Sequence, residues 1–311
     1  MRTTLAVLLV FTACSGAPPL LSATGLYADL SSRTLAPGVL EFEPRSALWT
    51  DGASKRRWVS LPEGTSIDVS NVDAWVFPVG TKLWKEFAVD GVVLETRYLE
   101  KSSTGWRFES YLWDADGQEA RAVTLGAANV RGTRHDVPGQ GDCRFCHGDA
   151  EPPLAFTAVQ LAARSDEARP VTLQGLSQRG WLSAPLVDAE VAPLGDDPEA
   201  AQVLGSLHAN CGGCHSDTGN QNDEALRLRL RTTDRQRADT GFFRTAVGKL
   251  AGGTIDGRRT YVVPGNPDAS LVFHRLSSRG NAAQMPPLGT EARNEALMNQ
   301  VRAFIESLPA E

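Results

Sequence analysis

Two short stretches organise this chain: Cys211-Gly212-Gly213-Cys214-His215 and, earlier, Cys143-Arg144-Phe145-Cys146-His147. Each is a Cys-x-x-Cys-His sequence, the attachment pattern of a c-type haem. Two thiols about one helical turn apart reach two sites on one porphyrin edge, and the next imidazole reaches the iron. The chain has only five histidines in 311 residues, so a histidine directly after both pairs by chance has a probability of about 0.03%.

The motifs predict two covalently bound haem c groups. The cysteines would form the thioether bonds and the histidines would ligate the irons: Cys143, Cys146, Cys211, Cys214, His147 and His215. Two other uses of paired cysteines are a four-cysteine zinc site and a redox disulfide. Neither gives the histidine after each pair a role, so we favour haem.

The sequence around the second motif predicts two helices. Pro198, preceded by Asp196 or Asp197 as the cap, predicts a helix that runs into Cys211. A closing helix is expected to begin near residue 290, with one apolar stripe at helical spacing. The residues of that stripe are Leu297, Val301, Ile305 and Leu308. A first and a last helix that cross over the haem are the frame of class I cytochrome c domains, which this region resembles.

Gln284-Met285-Pro286-Pro287 resembles the sequence that presents an axial methionine in such domains. The prolines stiffen the loop that carries the thioether. The resemblance implies that Met285 is the sixth ligand of the second haem. Ligation by one histidine and one methionine raises the reduction potential relative to two histidines. Met298, on the closing helix, is expected to be a core residue.

The first haem has no equivalent methionine, because none lies between its motif and Gln284. We predict His135, in the loop before the motif, as its sixth ligand. The alternatives are His208, His274, the remote Met298, another group or an open position. Two histidine ligands would give the first haem the lower potential, so electrons would run from the first haem to the second.

Residues 36–127 differ from the rest of the chain in composition and hydrophobic pattern, and they predict a β domain. Six of the seven tryptophans lie there, and short apolar runs alternate with turn sequences. Asp90-Gly91 between two such runs is a strong hairpin signal. Several short strands at this spacing predict an antiparallel sandwich, with the aromatic residues in its core rather than on a sugar-binding platform.

The N-terminus predicts export. Residues 1–13 combine a basic start with a short apolar run, as in a secretory signal peptide. The run is shorter than the ~20 residues that span a bilayer. Phe11-Thr12-Ala13-Cys14 resembles the lipobox of bacterial lipoproteins, which implies cleavage before Cys14 and a lipid on its sulfur. The alternative is an ordinary signal peptide. We expect a protein of the periplasm or outer membrane that is anchored to the membrane through that lipid.

These observations give the domain organisation and the fold class. After the signal peptide come a tether (14–35), the β domain (36–127), a first haem-binding segment (128–196) and a cytochrome c domain (197–311). The predicted class is α+β multidomain, with an N-terminal antiparallel β-sandwich-like domain and an all-α class I cytochrome c-like domain. The formal net charge is −6, so the chain lacks the excess of basic residues that is typical of nucleic-acid-binding proteins.

Residues 47–58, 77–82 and 95–98 resemble a family of exported bacterial dihaem c-type cytochromes with an N-terminal β domain. Some members are fused to, or found near, quinoprotein-like sugar dehydrogenases. The resemblance implies redox partner proteins such as a periplasmic dehydrogenase. It also suggests a function for three charged residues, the alternative being an ion-pair cluster that holds a loop. These are Asp51, Lys55 and Arg56.

We therefore predict a carrier that transfers one electron at a time between periplasmic or outer-membrane partners, rather than a catalyst. One alternative is a dihaem peroxidase-like enzyme with an open coordination site at the first haem. Another is a module whose β domain docks a partner or a polymer.

Overall fold

The computed structural model describes residues 16–147, 153–163, 169–221 and 225–309. Within these ranges, no helix combines the length and apolar character needed to cross a membrane. The predicted signal peptide and the predicted lipidation site Cys14 lie outside the described residues.

The N-terminal half is built on one antiparallel sheet of six strands, β3 to β8, which pair in chain order. Two shorter strands precede it. The strands are β1 (Tyr27–Asp29), β2 (Thr34–Leu35), β3 (Leu40–Glu41), β4 (Ser54–Ser60), β5 (Lys82–Val89), β6 (Val92–Ser102), β7 (Gly105–Trp113) and β8 (Ala120–Ala122). The predicted hairpin at Asp90-Gly91 joins β5 to β6, with both residues at positive φ, 50° and 79°.

The antiparallel sheet is as predicted, but the sandwich of two sheets is wrong. Each strand from β3 to β8 pairs with the next one along the chain, so the hairpins build a single meander. Part of the predicted tether also packs on the sheet. Leu21, Leu26 and Tyr27 are buried against one face of the sheet, where they cover part of its core.

The aromatic residues form the core of the sheet, which confirms the expectation from the sequence. Trp58, Trp84 and Tyr98 are direct neighbours across β4, β5 and β6, and each is at most 1% exposed. Aromatic cross-strand pairs of this kind contribute roughly 0.2–1 kcal/mol each. Trp75, Trp106 and Trp113 are buried as well.

The segment with the first motif packs on the other face of the sheet. Its helices are α1 (Gln140–His147), α2 (Ala158–Leu161), α3 (Leu173–Gln178) and α4 (Asp188–Val191). Phe156 is fully buried, with ring centroids 4.8 Å from Phe42 and 6.0 Å from Trp75. The sheet thus supplies the apolar surface that this segment lacks by itself.

The C-terminal part combines helices with a β-hairpin. Its elements are α5 (Pro198–Cys211), α6 (Gly241–Thr245), β9 (Leu250–Ile255), β10 (Arg258–Thr260), α7 (Leu271–Ser277) and α8 (Glu295–Glu306). The all-α prediction is wrong because it missed the turn Asp256-Gly257, at φ 47° and 77°, which joins β9 to β10.

The two predicted helices of this part are present. Asp197 caps α5 by accepting a hydrogen bond from Ala200 N at 3.0 Å. The closing helix α8 begins at Glu295, later than predicted, because Asn294 caps it. The predicted stripe of α8 is buried in one core with α5, and Met298 packs against that core as expected.

Candidate cofactor site at the two cysteine motifs

The two Cys-x-x-Cys-His motifs meet in the folded chain. The thiols of Cys146 and Cys214 lie close enough to shift each other's pKa. A Cβ added to Gly213 would lie 3.0 Å from Leu154 and 3.6 Å from the carbonyl oxygen of Cys146, so a residue without a side chain fits this contact. Asn220 Nδ2 donates to the carbonyl oxygen of Phe145 in the first motif.

The second motif begins where α5 ends. Cys211 is the last residue of the helix, and the next turn continues through a hydrogen bond from His215 N to Cys211 O, 2.9 Å. Leu228 N donates to His215 O at 2.9 Å, so a passing segment fixes the backbone of the histidine. This arrangement gives the thiols and the imidazole defined positions relative to α5.

A cavity of about 420 Å³ lies against the second motif. Cys211, Cys214, His215 and Met285 all line it, so the structure brings the predicted attachment and ligand residues together. Most other lining residues are apolar: Leu207, Leu226, Leu228, Ala251, Ile255, Leu271, Val272, Leu276, Pro286 and Pro287. Its volume falls within the ~300–1,000 Å³ typical of ligand and cofactor pockets.

The loop that carries Met285 is fixed by hydrogen bonds of its own. Met285 N donates to Arg275 O at 3.0 Å, which ties the loop to α7. Gln284 Nε2 donates to Pro286 O at 3.1 Å and to Thr290 O at 2.9 Å. These contacts hold both sides of the methionine, which limits the positions its thioether can take.

Asp51 in the β domain reaches the end of the same loop. Its carboxylate accepts from Thr290 Oγ1 at 3.1 Å, Glu291 N at 2.9 Å and Ala292 N at 2.8 Å. Trp49 Nε1 donates to Ala292 O at 3.2 Å. Asp51 therefore holds the loop that follows Met285, but through hydrogen bonds and not through the ion-pair cluster that was one of the two expectations.

The other two charged residues of that stretch make local contacts. Lys55 Nζ donates to Ala53 O at 2.8 Å, and burial lowers the pKa of its ammonium group to about 8. The exposed Arg56 pairs with Glu41 through two hydrogen bonds of 2.9 and 2.7 Å.

The first motif is carried by α1, which rests on β7. Gln140 N donates to Thr124 O, and its side chain Nε2 donates to Glu109 Oε2, both at 3.0 Å. At the other end of the helix, the imidazole of His147 packs 5.2 Å from the ring of Phe108. The sheet therefore sets the orientation of the first motif.

Another cavity, of about 500 Å³, lies against the first motif, between the sheet and the C-terminal part. We call it the first cavity, and we call the cavity of about 420 Å³ against the second motif the second cavity. Cys143, Cys146 and His147 line the first cavity together with strands β4 to β7. Both cavities share four wall residues, which are Asn210, Cys214, Pro286 and Pro287. Phe145 of the first motif lines the cavity of the second motif. Each motif thus forms part of the other motif's cavity.

The three remaining histidines are each held elsewhere, and none lines the walls that the described residues form around either cavity. His135 is buried, with Nε2 2.7 Å from Glu95 Oε2. His208 Nδ1 accepts from Leu230 N at 3.0 Å, and His274 Nε2 lies 2.8 Å from Asp256. Ligation by His135 stays a prediction, and it would require the ring to move into the cavity of the first motif.

All four motif cysteines are free thiols in this structure. Burial raises the pKa of Cys143 to about 11 and that of Cys211 to about 12. The neighbouring Cys214 thiol, together with burial, raises the pKa of Cys146. Among the described residues, no three or more His, Cys, Asp or Glu side chains converge as a metal site requires.

A row of three basic residues on the wall of the first cavity was missed in the sequence. Arg57, Lys85 and Arg97 are direct cross-strand neighbours on β4, β5 and β6, and all three line the cavity. Burial lowers the pKa of Arg57 to about 10 and also lowers that of Lys85. The sequence alone shows a basic residue in each of the three strands. That these residues lie side by side, facing the cavity, follows only from the register of the strands.

The donor groups suit two haem c groups. Each cavity has two thiols and an imidazole from one motif, and the second cavity adds the thioether of Met285. This set matches the chemistry of thioether attachment and axial ligation. Comparisons of the chain with family models, with curated proteins and with solved structures found no match.

Proposed function

We propose that this chain is an exported dihaem c-type cytochrome that transfers single electrons between redox partners outside the cytoplasm. One observation carries the proposal: Cys146 of the first motif and Cys214 of the second are neighbours, and the two motif cavities share walls. Two cofactors attached there would meet at their thioether edges. That arrangement suits electron transfer from one to the other.

In this proposal, haem supplies the one-electron Fe(III)/Fe(II) chemistry, and the chain supplies attachment, ligands and surroundings. His215 and Met285 would be the ligands of the second haem, and His147 one ligand of the first. The apolar walls of the second cavity would exclude water. A histidine–methionine pair favours the ferrous state, so the second haem would have the higher potential and accept electrons from the first.

The test is to produce the full chain together with haem-maturation machinery and to count haem per chain. We expect two haems in the wild type, and one in each of the double variants Cys143→Ser/Cys146→Ser and Cys211→Ser/Cys214→Ser. The matched control is Cys14→Ser, which changes a cysteine outside both motifs and should keep two. A wild-type protein without a Soret band would overturn the proposal.

We further propose that the mature chain is anchored to a membrane through lipid on Cys14. The same Cys14→Ser variant should then be exported but released from the membrane fraction. A variant that stayed in the membrane fraction would contradict the lipid anchor and leave the haem count unaffected. The partner would be another exported redox protein, and a periplasmic dehydrogenase is the kind that the family resemblance suggests.

A second candidate function rests on the first cavity. No methionine, and no histidine other than His147, is among the described residues that line it. An open sixth position there would favour a peroxidase-like enzyme over a carrier. Electron paramagnetic resonance distinguishes the two: a high-spin ferric signal with peroxide turnover favours the enzyme, and two low-spin signals without turnover favour the carrier.

A further inference from the structure

Arg57, Lys85 and Arg97 form a row of positive charge across the wall of the first cavity. Like charges directly opposite each other on neighbouring strands destabilise a sheet. Burying a charge is also costly unless a partner of opposite charge compensates it. A sheet that keeps three cations in register on a cavity wall therefore calls for negative charge inside the cavity.

The chain itself supplies such charge near Arg97 and Lys85 but not at Arg57, because Glu95 pairs with Arg97 and also acts on Lys85. Arg97 makes a two-point contact with Glu95, at 2.6 and 3.0 Å. Among the described residues, neither Arg57 nor Lys85 forms an ion pair, and the carboxylate that acts on Arg57 belongs to the exposed Glu43. Lys85 Nζ instead lies 4.8 Å from the ring centroid of Phe87.

Arg57 also has an unused donor. Its side chain is 4% exposed, and Nε has no hydrogen-bond partner within the described part of the chain. Thr50 Oγ1 is likewise buried without a partner, and Thr50 lines the same cavity. A hydrogen-bonding ligand within the cavity would satisfy both groups.

The carboxylates that line the cavity have other partners. Glu109 accepts from Gln140, Asp136 from Asn129 N, and Asp142 from Gly139 N. Asp142 adjoins Cys143 and acts on both thiols of the first motif, which places it at the cysteine end of the cavity. These groups therefore leave the far end of the basic row uncompensated.

The direction of the row matches the length of a porphyrin. Arg97 lines the cavity together with Cys143 and Cys146 and acts on the pKa of both thiols, so the row begins at the thioether edge. Arg57 is two strands further on, about 10 Å away at the usual strand spacing. In haem c, the two propionates lie at the edge opposite the thioethers, so this end of the row is where they would arrive.

We propose that Arg57 and Lys85 form a carboxylate-binding site for the propionates of the first haem. The proposal rests on the proposed function, because it assumes that haem is attached at Cys143 and Cys146. Arg57 offers planar paired donors that suit a carboxylate, and Lys85 offers a point charge. The positive charge at the propionates would make reduction of the first haem easier.

The experiment compares Arg57→Gln and Lys85→Gln in the full holo protein by spectroelectrochemistry. The matched control is Arg56→Gln, on the same strand but on its opposite face. We expect each cavity variant to lower the midpoint potential of the first haem alone. The shift in electron distribution between the haems should be on the order of tenfold, or about 59 mV for a one-electron couple. Arg57→Lys, which keeps the charge, should restore most of the potential.

A second arm distinguishes a propionate from a free small carboxylate. Acetate and succinate are titrated into the wild type while the spectrum of the first haem is recorded, and we expect no change. A saturable change that disappears in Arg57→Gln would assign the site to a free carboxylate and overturn the proposal. Two attached haems with unchanged potentials in both cavity variants would overturn this inference alone. Absence of haem at the first motif would overturn the proposed function as well.

Discussion

The two motif cavities are built in different ways. The cavity of the second motif is formed almost wholly by residues 207–287, and its thiols, imidazole and thioether belong to one stretch of chain. The cavity of the first motif takes walls from the sheet, from the loops around α1 and from the loop after Met285. A site encoded locally can be read from its sequence, whereas one assembled from distant segments depends on the whole fold.

The largest effect on a reduction potential should come from the thioether of Met285. Met285→Leu keeps the side-chain volume but removes the ligand, so the potential of the second haem should fall by on the order of 0.1 V or more. Axial ligands cover a range of ~0.8 V in haem proteins. Spectroelectrochemistry measures the change.

Met298→Leu is the matched control, because Met298 packs against the core of α5 and α8. It should leave both potentials unchanged. If Met285→Leu also left both potentials unchanged, Met285 would not be a ligand. Neither cavity would then have a methionine ligand, and the two would be alike in this respect.

The next prediction tests whether the two cavities can be destabilised independently. Phe156→Ala removes a fully buried ring that anchors the adjacent wall residues 153–155 to the sheet, at a cost of about 3–5 kcal/mol. We expect this variant to lose haem from the first motif first. Haem content and denaturant unfolding measure both effects.

Leu204→Ala is the counterpart in the core of the second site, where Leu204 is 2% exposed. Its expected cost is about 2–5 kcal/mol, and the second haem should be the one affected. Equal losses of both haems in either variant would show that the two cavities form one cooperative unit.

The sequence predicted the second site because its signals are short-range. A capping Asp197, a helix into Cys211 and the proline-flanked Met285 each depend on a few neighbouring residues. The hairpin at Asp90-Gly91 is of the same kind. The hairpin at Asp256-Gly257 has the same turn signal, but its two strands are less apolar, so the sequence pattern did not predict it.

The first site could not be predicted in the same way. Arg57, Lys85 and Arg97 are 28 and 12 positions apart along the chain, and only the register of three strands puts them side by side. A slip of one residue would turn any of them to the opposite face. The position of His135 just before the first motif predicts a ligand, but tertiary contact with Glu95 determines where its ring lies.

A smaller effect tests whether His208 is structural or a ligand. Burial lowers the pKa of its imidazole to about 3, against 6.5 in a model peptide. Below pH 6.5 the unfolded chain takes up a proton that the folded chain does not, so the free energy of unfolding falls as pH falls. The loss from His208 should be roughly 2 kcal/mol between pH 7 and pH 5.

His208→Asn places an amide oxygen where Nδ1 accepts from Leu230 N and should remove this part of the pH dependence. Denaturant unfolding at the two pH values measures it. His274→Asn, which also deletes one imidazole, is the control. A changed spectrum of the first haem in His208→Asn would instead make His208 its ligand.

The smallest effect joins the two regions. Asp51 accepts three hydrogen bonds from residues 290–292, so the β domain helps to hold the loop after Met285. Asp51→Asn keeps the shape but replaces charge-assisted bonds by neutral ones, at a cost of about 1 kcal/mol. We expect easier displacement of Met285 by added imidazole, measured as a lower midpoint concentration in an optical titration.

Asp90→Asn is the matched control, because Asp90 has nearly the same φ (50° against 48°) in a turn far from the loop. Equal midpoints in the two variants would mean that the second site is independent of the β domain, which would make the contrast between the two cavities sharper.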